Sequence, residues 1–151
     1  MHQRRRMLVQ LTALTGLMVS AGLLSPVRAQ EWNAAAFKAK TVEDVLKVLD
    51  SEQAPEESSM VKLSAPDVAD NGALVPIGVE TSLPATELAI LVQKNPSPLA
   101  ALFKLPPGTE SYVMTRVKMN ESSRVYALAK VDGRWLMTSK EVMVTLGGCG
   151  A

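Results

Sequence analysis

Histidine and cysteine each occur once in the 151 residues, at His2 and Cys149. That scarcity removes whole classes of chemistry. One cysteine cannot close an intrachain disulfide, and one histidine beside it cannot complete a structural zinc site. His2 falls in a leader that the pattern below predicts is removed. The mature chain then has no imidazole, so neither a Ser-His-Asp nor a Cys-His nucleophile is available. Aromatic residues are also few, two each of Trp, Tyr and Phe, so the core is expected to be aliphatic. No internal repeat and no low-complexity tract is visible. Basic clusters are missing beyond the leader: twelve basic residues face fifteen acidic ones there, a net charge of −3. That balance argues against a nucleic-acid partner.

What is present begins with an export pattern. Residues 1–6 are basic, residues 7–24 mostly apolar, and Val27-Arg28-Ala29 offers small residues where a signal peptidase cuts. Arg4-Arg5 followed by Met7-Leu8 resembles a twin-arginine signal. Gln10, Thr12, Thr15, Gly16 and Ser20 dilute the apolar run, which disfavours the competing reading of a membrane anchor. Residues 1–29 are therefore expected to be a signal peptide, with a mature, soluble protein in the periplasm from about Gln30. Thiols oxidise there, so a lone cysteine implies a covalent partner, either another chain or a cargo.

Residues 30–59 read as a helical segment and linker. Residues 31–40 are alanine-rich. Thr41 can cap a short helix whose Val42, Val45, Leu46 and Leu49 follow i, i+3, i+4, i+7 spacing. Such a helix is expected to cover an open edge or end of the main body. Residues 50–59 (DSEQAPEESS) lack periodicity and read as a solvated linker.

From residue 60 the texture becomes short β-type runs between turns. Asp70-Asn71-Gly72 is a strong turn signal. Pro76 places the run at residues 74–81 on an edge or at a bulge. Residues 87–94 (ELAILVQK) form a buried-strand run, and residues 99–105 fit either a strand or a helical turn. Residues 110–119 alternate, with Val113, Thr115, Val117 and Met119 on one face and Tyr112, Met114, Arg116 and Lys118 on the other. Asp132-Gly133 is the favoured pair for a type I′ hairpin between residues 124–131 and 134–138. Residues 141–146 make a last strand, with Val142, Val144 and Leu146 inward. The expected fold is all-β: an immunoglobulin-like antiparallel β-sandwich over residues 60–146, with an eight-stranded barrel left open by pattern alone.

Side-chain chemistry outside the cysteine is sparse. Arg116, Lys118, Arg124 and Arg134 are candidates for a cationic patch, against the simpler reading of ordinary solvated charge. Asp67, Asp70 and Glu80 lack the ordered spacing of a calcium loop. Trp32 and Trp135 read as packing residues, and the methionines do not form a copper cluster. No metal and no cofactor is called for.

Residues 147–151 (GGCGA) are different. Gly147, Gly148 and Gly150 flank Cys149 two residues from the terminus, a hinge around a single thiol. From Leu146 to Cys149 the backbone reaches roughly 10 Å, enough to enter a narrow pocket on another protein. Its sequence neighbours include no cation to stabilise a thiolate. The thiol therefore reads as passive, worked on by other proteins.

The ending Val144-Thr145-Leu146-Gly147-Gly148-Cys149-Gly150-Ala151 resembles the GGCGG terminus of the SoxY family, sulfur carriers of bacterial thiosulfate oxidation. Residues 65–76 (APDVADNGALVP), 115–119 (TRVKM) and 32–37 (WNAAAF) are similar as well. Ala151 departs from the family's last glycine. The resemblance implies an immunoglobulin-like sandwich paired with a SoxZ subunit in a heterodimeric carrier that is not itself an enzyme. It implies that a c-type haem enzyme of the SoxXA type conjugates thiosulfate to Cys149, and that a SoxB-type hydrolase releases sulfate. In some systems a SoxCD-type dehydrogenase oxidises the remaining sulfur. A periplasmic assembly module with a permanent intermolecular disulfide through Cys149 is the alternative. A cysteine-dependent enzyme is the weakest reading, because no histidine base is available.

Overall fold

Two sheets are built from runs whose burial follows the sequence pattern. The computed structural model describes residues 33–49 and 53–145, so residues 1–32, 50–52 and 146–151 lie outside the described residues. The described residues belong to one compact unit beginning at Asn33. Its elements in chain order are α1 (Ala34–Lys38), α2 (Val42–Leu49), β1 (Glu56–Glu57), β2 (Val61–Ser64), β3 (Val68–Ala69) and β4 (Val75–Thr81). They continue with β5 (Ala85–Val92), β6 (Leu99–Lys104), β7 (Tyr112–Val117), β8 (Ser123–Val131) and β9 (Arg134–Val144).

The larger sheet runs β1-β9-β8-β5-β6, with β3 also pairing β9, and the smaller runs β2-β4-β7. The β2–β4, β4–β7, β5–β6, β5–β8 and β8–β9 ladders are antiparallel. This is the immunoglobulin-like sandwich of the sequence reading. Between the sheets lie Val75, Ile77 and Val79 from β4, Leu88, Ile90 and Val92 from β5, and Val125, Ala127 and Ala129 from β8. Every second residue of these strands points inward, as pleating requires.

The apolar run in β5 is continuous because both of its faces are covered. Ala89 and Leu91 point away from the other sheet and pack with Leu99, Leu128 and Trp135 against Ala36, Val42 and Val45. The helices therefore form a third layer on the outer face of the larger sheet, rather than closing an edge or end. Asn33 Oδ1 accepts from the Ala36 amide and caps α1. Thr41 Oγ1 accepts from the Asp44 amide and caps α2, as expected from its sequence. Ser97 donates to the Phe37 carbonyl at 2.6 Å, tying α1 to the β5–β6 turn.

Three local expectations change, and the alternative left open at residues 99–105 resolves. The stretch read as linker contributes β1, whose Glu56 and Glu57 pair in parallel with Leu136 and Met137. Residues 134–138 and 141–146 are not two strands: β9 runs unbroken from Arg134 to Val144 because β8 pairs with it from Ser123 to Val131. Residues 99–104 form a strand. Pro76 lies in the middle strand of the smaller sheet, yet it meets only β7 there, because β2 begins pairing at Gly78. Pro76 thus has a strand partner on one side only, as a proline on an edge does. The β8–β9 hairpin turns at Asp132 (φ 50°) and Gly133 (φ 80°), the two positive φ angles of a type I′ turn.

Candidate functional site

The C-terminal end of β9 is held on both sides. On one side β3 runs parallel to it, with Val68 beside Met143 and Ala69 beside Val144. The Met143 amide donates to the Asp67 carbonyl at 2.9 Å, and the Thr145 amide to the Ala69 carbonyl at 3.0 Å. On the other side the Val144 amide donates to Ser122 Oγ at 2.8 Å. Thr145 Oγ1 adds a bond to the Asp70 carbonyl at 3.0 Å. Thr145 is the last described residue, and Cys149 follows four positions later.

The segment that carries β3 is itself fastened. Lys140 Nζ donates to the Ala65 carbonyl at 2.7 Å and pairs with Asp67 Oδ1 at 2.9 Å. Asn71 Oδ1 accepts from the Ala73 amide, closing the turn expected at Asp70-Asn71-Gly72. The Met119 amide donates to the Gly72 carbonyl at 2.7 Å, above a fully buried Met119 side chain. Asn95 joins in through Nδ2 to the Lys118 carbonyl and Oδ1 from the Asn120 amide. Residues 65–76 and 115–119, two of the segments on which the family resemblance rests, thus meet around the end of β9. Asp67, Ala69, Asp70 and Ser122 serve this anchor, mostly through backbone. Sequence reading missed their role because a parallel pair of two residues leaves no periodic signal.

Other sequence candidates do not assemble. Arg124 pairs with Glu141 at 3.7 Å, while Arg134 sits at the hairpin seven residues away along the ladder, roughly 23 Å. Arg116 and Lys118 belong to the smaller sheet and its extension, so the four cations form no single patch. Asp67 faces Lys140 and Glu80 faces Lys62 at 3.8 Å. Among the described residues no cluster of His, Cys, Asp or Glu could hold a metal ion. Trp135 is a packing residue, 3% exposed, with Lys130 Nζ 5.5 Å from its ring centroid. Trp32, Cys149, Gly147, Gly148 and Gly150 lie outside the described residues.

Fold and anchor together define a three-layered immunoglobulin-like sandwich whose last described strand is fastened four residues before Cys149. Residues 45–149 match the family described as "Sulfur oxidation protein SoxY". The chain belongs to the SoxY family. It is similar to the structure of the sulfur carrier protein SoxY from Chlorobium limicola f thiosulfatophilum: 30% identity, TM-score 0.63, covering 70% of this chain and 97% of that one. A superoxide reductase (neelaredoxin) from Ignicoccus hospitalis matches at 16% identity and TM-score 0.51, covering 56% of this chain and 80% of that one. A putative superoxide reductase from Thermotoga maritima matches at 17% and 0.52, covering 60% and 93%. These two likenesses show the fold alone. No curated protein sequence matches the chain.

Proposed function

We propose that this protein is a periplasmic sulfur carrier that holds thiosulfate-derived intermediates covalently on Cys149. The observation that carries the reading is the anchor: β9 is held through Thr145, and the chain's one cysteine follows within a glycine-rich stretch. The family and the resemblance to a sulfur carrier support it. Gly147, Gly148 and Gly150 act as the hinge, since residues without a Cβ let the backbone turn and enter a narrow channel.

In loading, the Cys149 thiol loses its proton and its sulfur bonds to the sulfane sulfur of thiosulfate. Two electrons leave to a c-type haem acceptor on the conjugating enzyme. Water then cleaves the bond between the sulfane sulfur and the sulfonate, releasing sulfate and a proton and leaving a persulfide on Cys149. A hydrolase performs that second step, and a dehydrogenase oxidises the persulfide sulfur where that branch is present. The carrier contributes the Cys149 sulfur, which loses its proton and is oxidised with the sulfane sulfur on loading, and no other acid, base or redox group in either step. A second sandwich subunit of the SoxZ type completes the carrier, and the Arg4-Arg5 signal exports it.

Intact mass spectrometry of the carrier after incubation with thiosulfate and the haem enzyme tests the reading. A thiosulfate adduct is expected on the native chain and none on Cys149→Ser. An adduct persisting in that variant overturns it. Replacement of Arg4-Arg5 by lysines is expected to leave the precursor in the cytoplasm.

A further inference from the structure

The outer face of the larger sheet is covered unevenly. The helices pack over Ala89, Leu91, Leu128 and Trp135, with Tyr126 and Met137 at the border of that cluster. Further along the same face of β9 come Glu141 and Met143, and the described helices do not reach them. Val68 lies beside Met143 in register, and its neighbour Ala69 points into the inter-sheet core, so Val68 faces the same way as Met143. The result is an apolar step, Val68 at 49% and Met143 at 58% exposed, bordered by the Arg124–Glu141 ion pair. About half of each side chain stays in water, so this valine and methionine contribute less to folding than buried ones would.

The length of the remaining chain says what meets this step. From Thr145 to Cys149 there are four residues, which span about 14 Å when fully extended. An enzyme that brings its reacting group to Cys149 must therefore bring the mouth of its channel to the end of β9. Whatever enters the channel, the rim of that mouth lands on the surface around Thr145. Val68 is one residue before Ala69 and Met143 two before Thr145, the pair that makes an anchor bond, so both lie inside that footprint.

We propose that Val68 and Met143 form a docking collar for the rim of the enzyme channels that receive the Cys149 arm, the occupant being an apolar rim with polar groups placed to meet Arg124 and Glu141. The proposal rests on the carrier reading. It explains why an apolar pair is left bare beside the anchor. Because several enzymes share one arm, the collar is a common contact, and their reaction-specific contacts lie within the channel. A small apolar contact of this kind prolongs the encounter while the arm enters and adds too little affinity to block release, which a shuttle needs.

The test uses the carrier with its partner subunit, thiosulfate and the haem conjugating enzyme, following adduct formation by mass at several carrier concentrations. Val68→Ser and Met143→Ser are each expected to lower kcat/KM for loading about tenfold. Maximal rate should change little, and Met143→Leu should restore the native value. Labelling of Cys149 by a small maleimide should be unchanged, which separates docking from thiol reactivity. Tyr112→Ser, on the outer face of the other sheet, is the control and should load normally. Native kinetics in both serine variants overturn the collar. So does finding by sedimentation that Met143→Ser dissolves a self-associated form, because a second copy would then be the occupant. If the native carrier forms no adduct at all, it is the carrier reading that fails.

Discussion

Thr145 and Asp70 are joined by a hydrogen bond of 3.0 Å from the threonine hydroxyl to the aspartate carbonyl, 75 residues apart in sequence. That bond is made at the last described residue, just before the glycine-rich residues 147–150 in sequence. Thr145→Val removes it while keeping shape. The cost to global stability should be about 0.5 kcal/mol, since the site is exposed and water replaces the partner. Locally the effect is larger: hydrogen exchange at the Met143 and Thr145 amides should quicken, while exchange at Leu128 is unchanged.

Lys140 holds the segment leading to β3 from beneath, by its bonds to the Ala65 carbonyl and Asp67. Lys140→Met keeps the aliphatic stem and deletes the ammonium. A loss of about 1 kcal/mol is expected after allowance for solvent screening at a partly exposed pair. Denaturant unfolding measures that loss. Exchange of the Met143 amide, bonded to Asp67, should rise more than in a control at Lys62.

Leu128 decides whether the helical layer belongs to the core. It is fully buried, yet it points away from the other sheet toward Ala36 and Val45. Leu128→Ala should cost about 2–5 kcal/mol, as a large-to-small change in a packed interior does. A two-layered sandwich would leave that position at the surface and predict almost no loss. Thermal unfolding separates the two outcomes.

Trp135 lies under the helices with an indole N–H that has no hydrogen-bond partner among the described residues. Burying such a donor unpaired is unfavourable. Trp135→Phe retains an aromatic ring below Lys130 and deletes the donor, so its cost should be under about 1 kcal/mol. Trp135→Ala, which empties the site, should cost about 3–5 kcal/mol. Equal losses in the two variants would show that the N–H is satisfied.

Much of this molecule is written in local pattern. Alternation in residues 112–119, the Asp132-Gly133 turn, and the Thr41 cap with its Val42, Val45, Leu46 and Leu49 stripe all recur as read, because each depends on neighbours within a few residues. The glycine-flanked Cys149, with no second cysteine in the sequence, is likewise a property of the chain alone, and it excludes an intrachain disulfide. Tertiary structure decided the rest. Glu56 and Val68 join β9 through parallel pairs of two residues, too short to leave a period. Whether the continuous run in β5 had one covered face or two depended on where the helices landed. The anchor at the end of β9 arises from carbonyls of Asp67, Ala69 and Asp70, and every residue type carries a carbonyl, so only the folded chain could show which ones hold Thr145 and Met143.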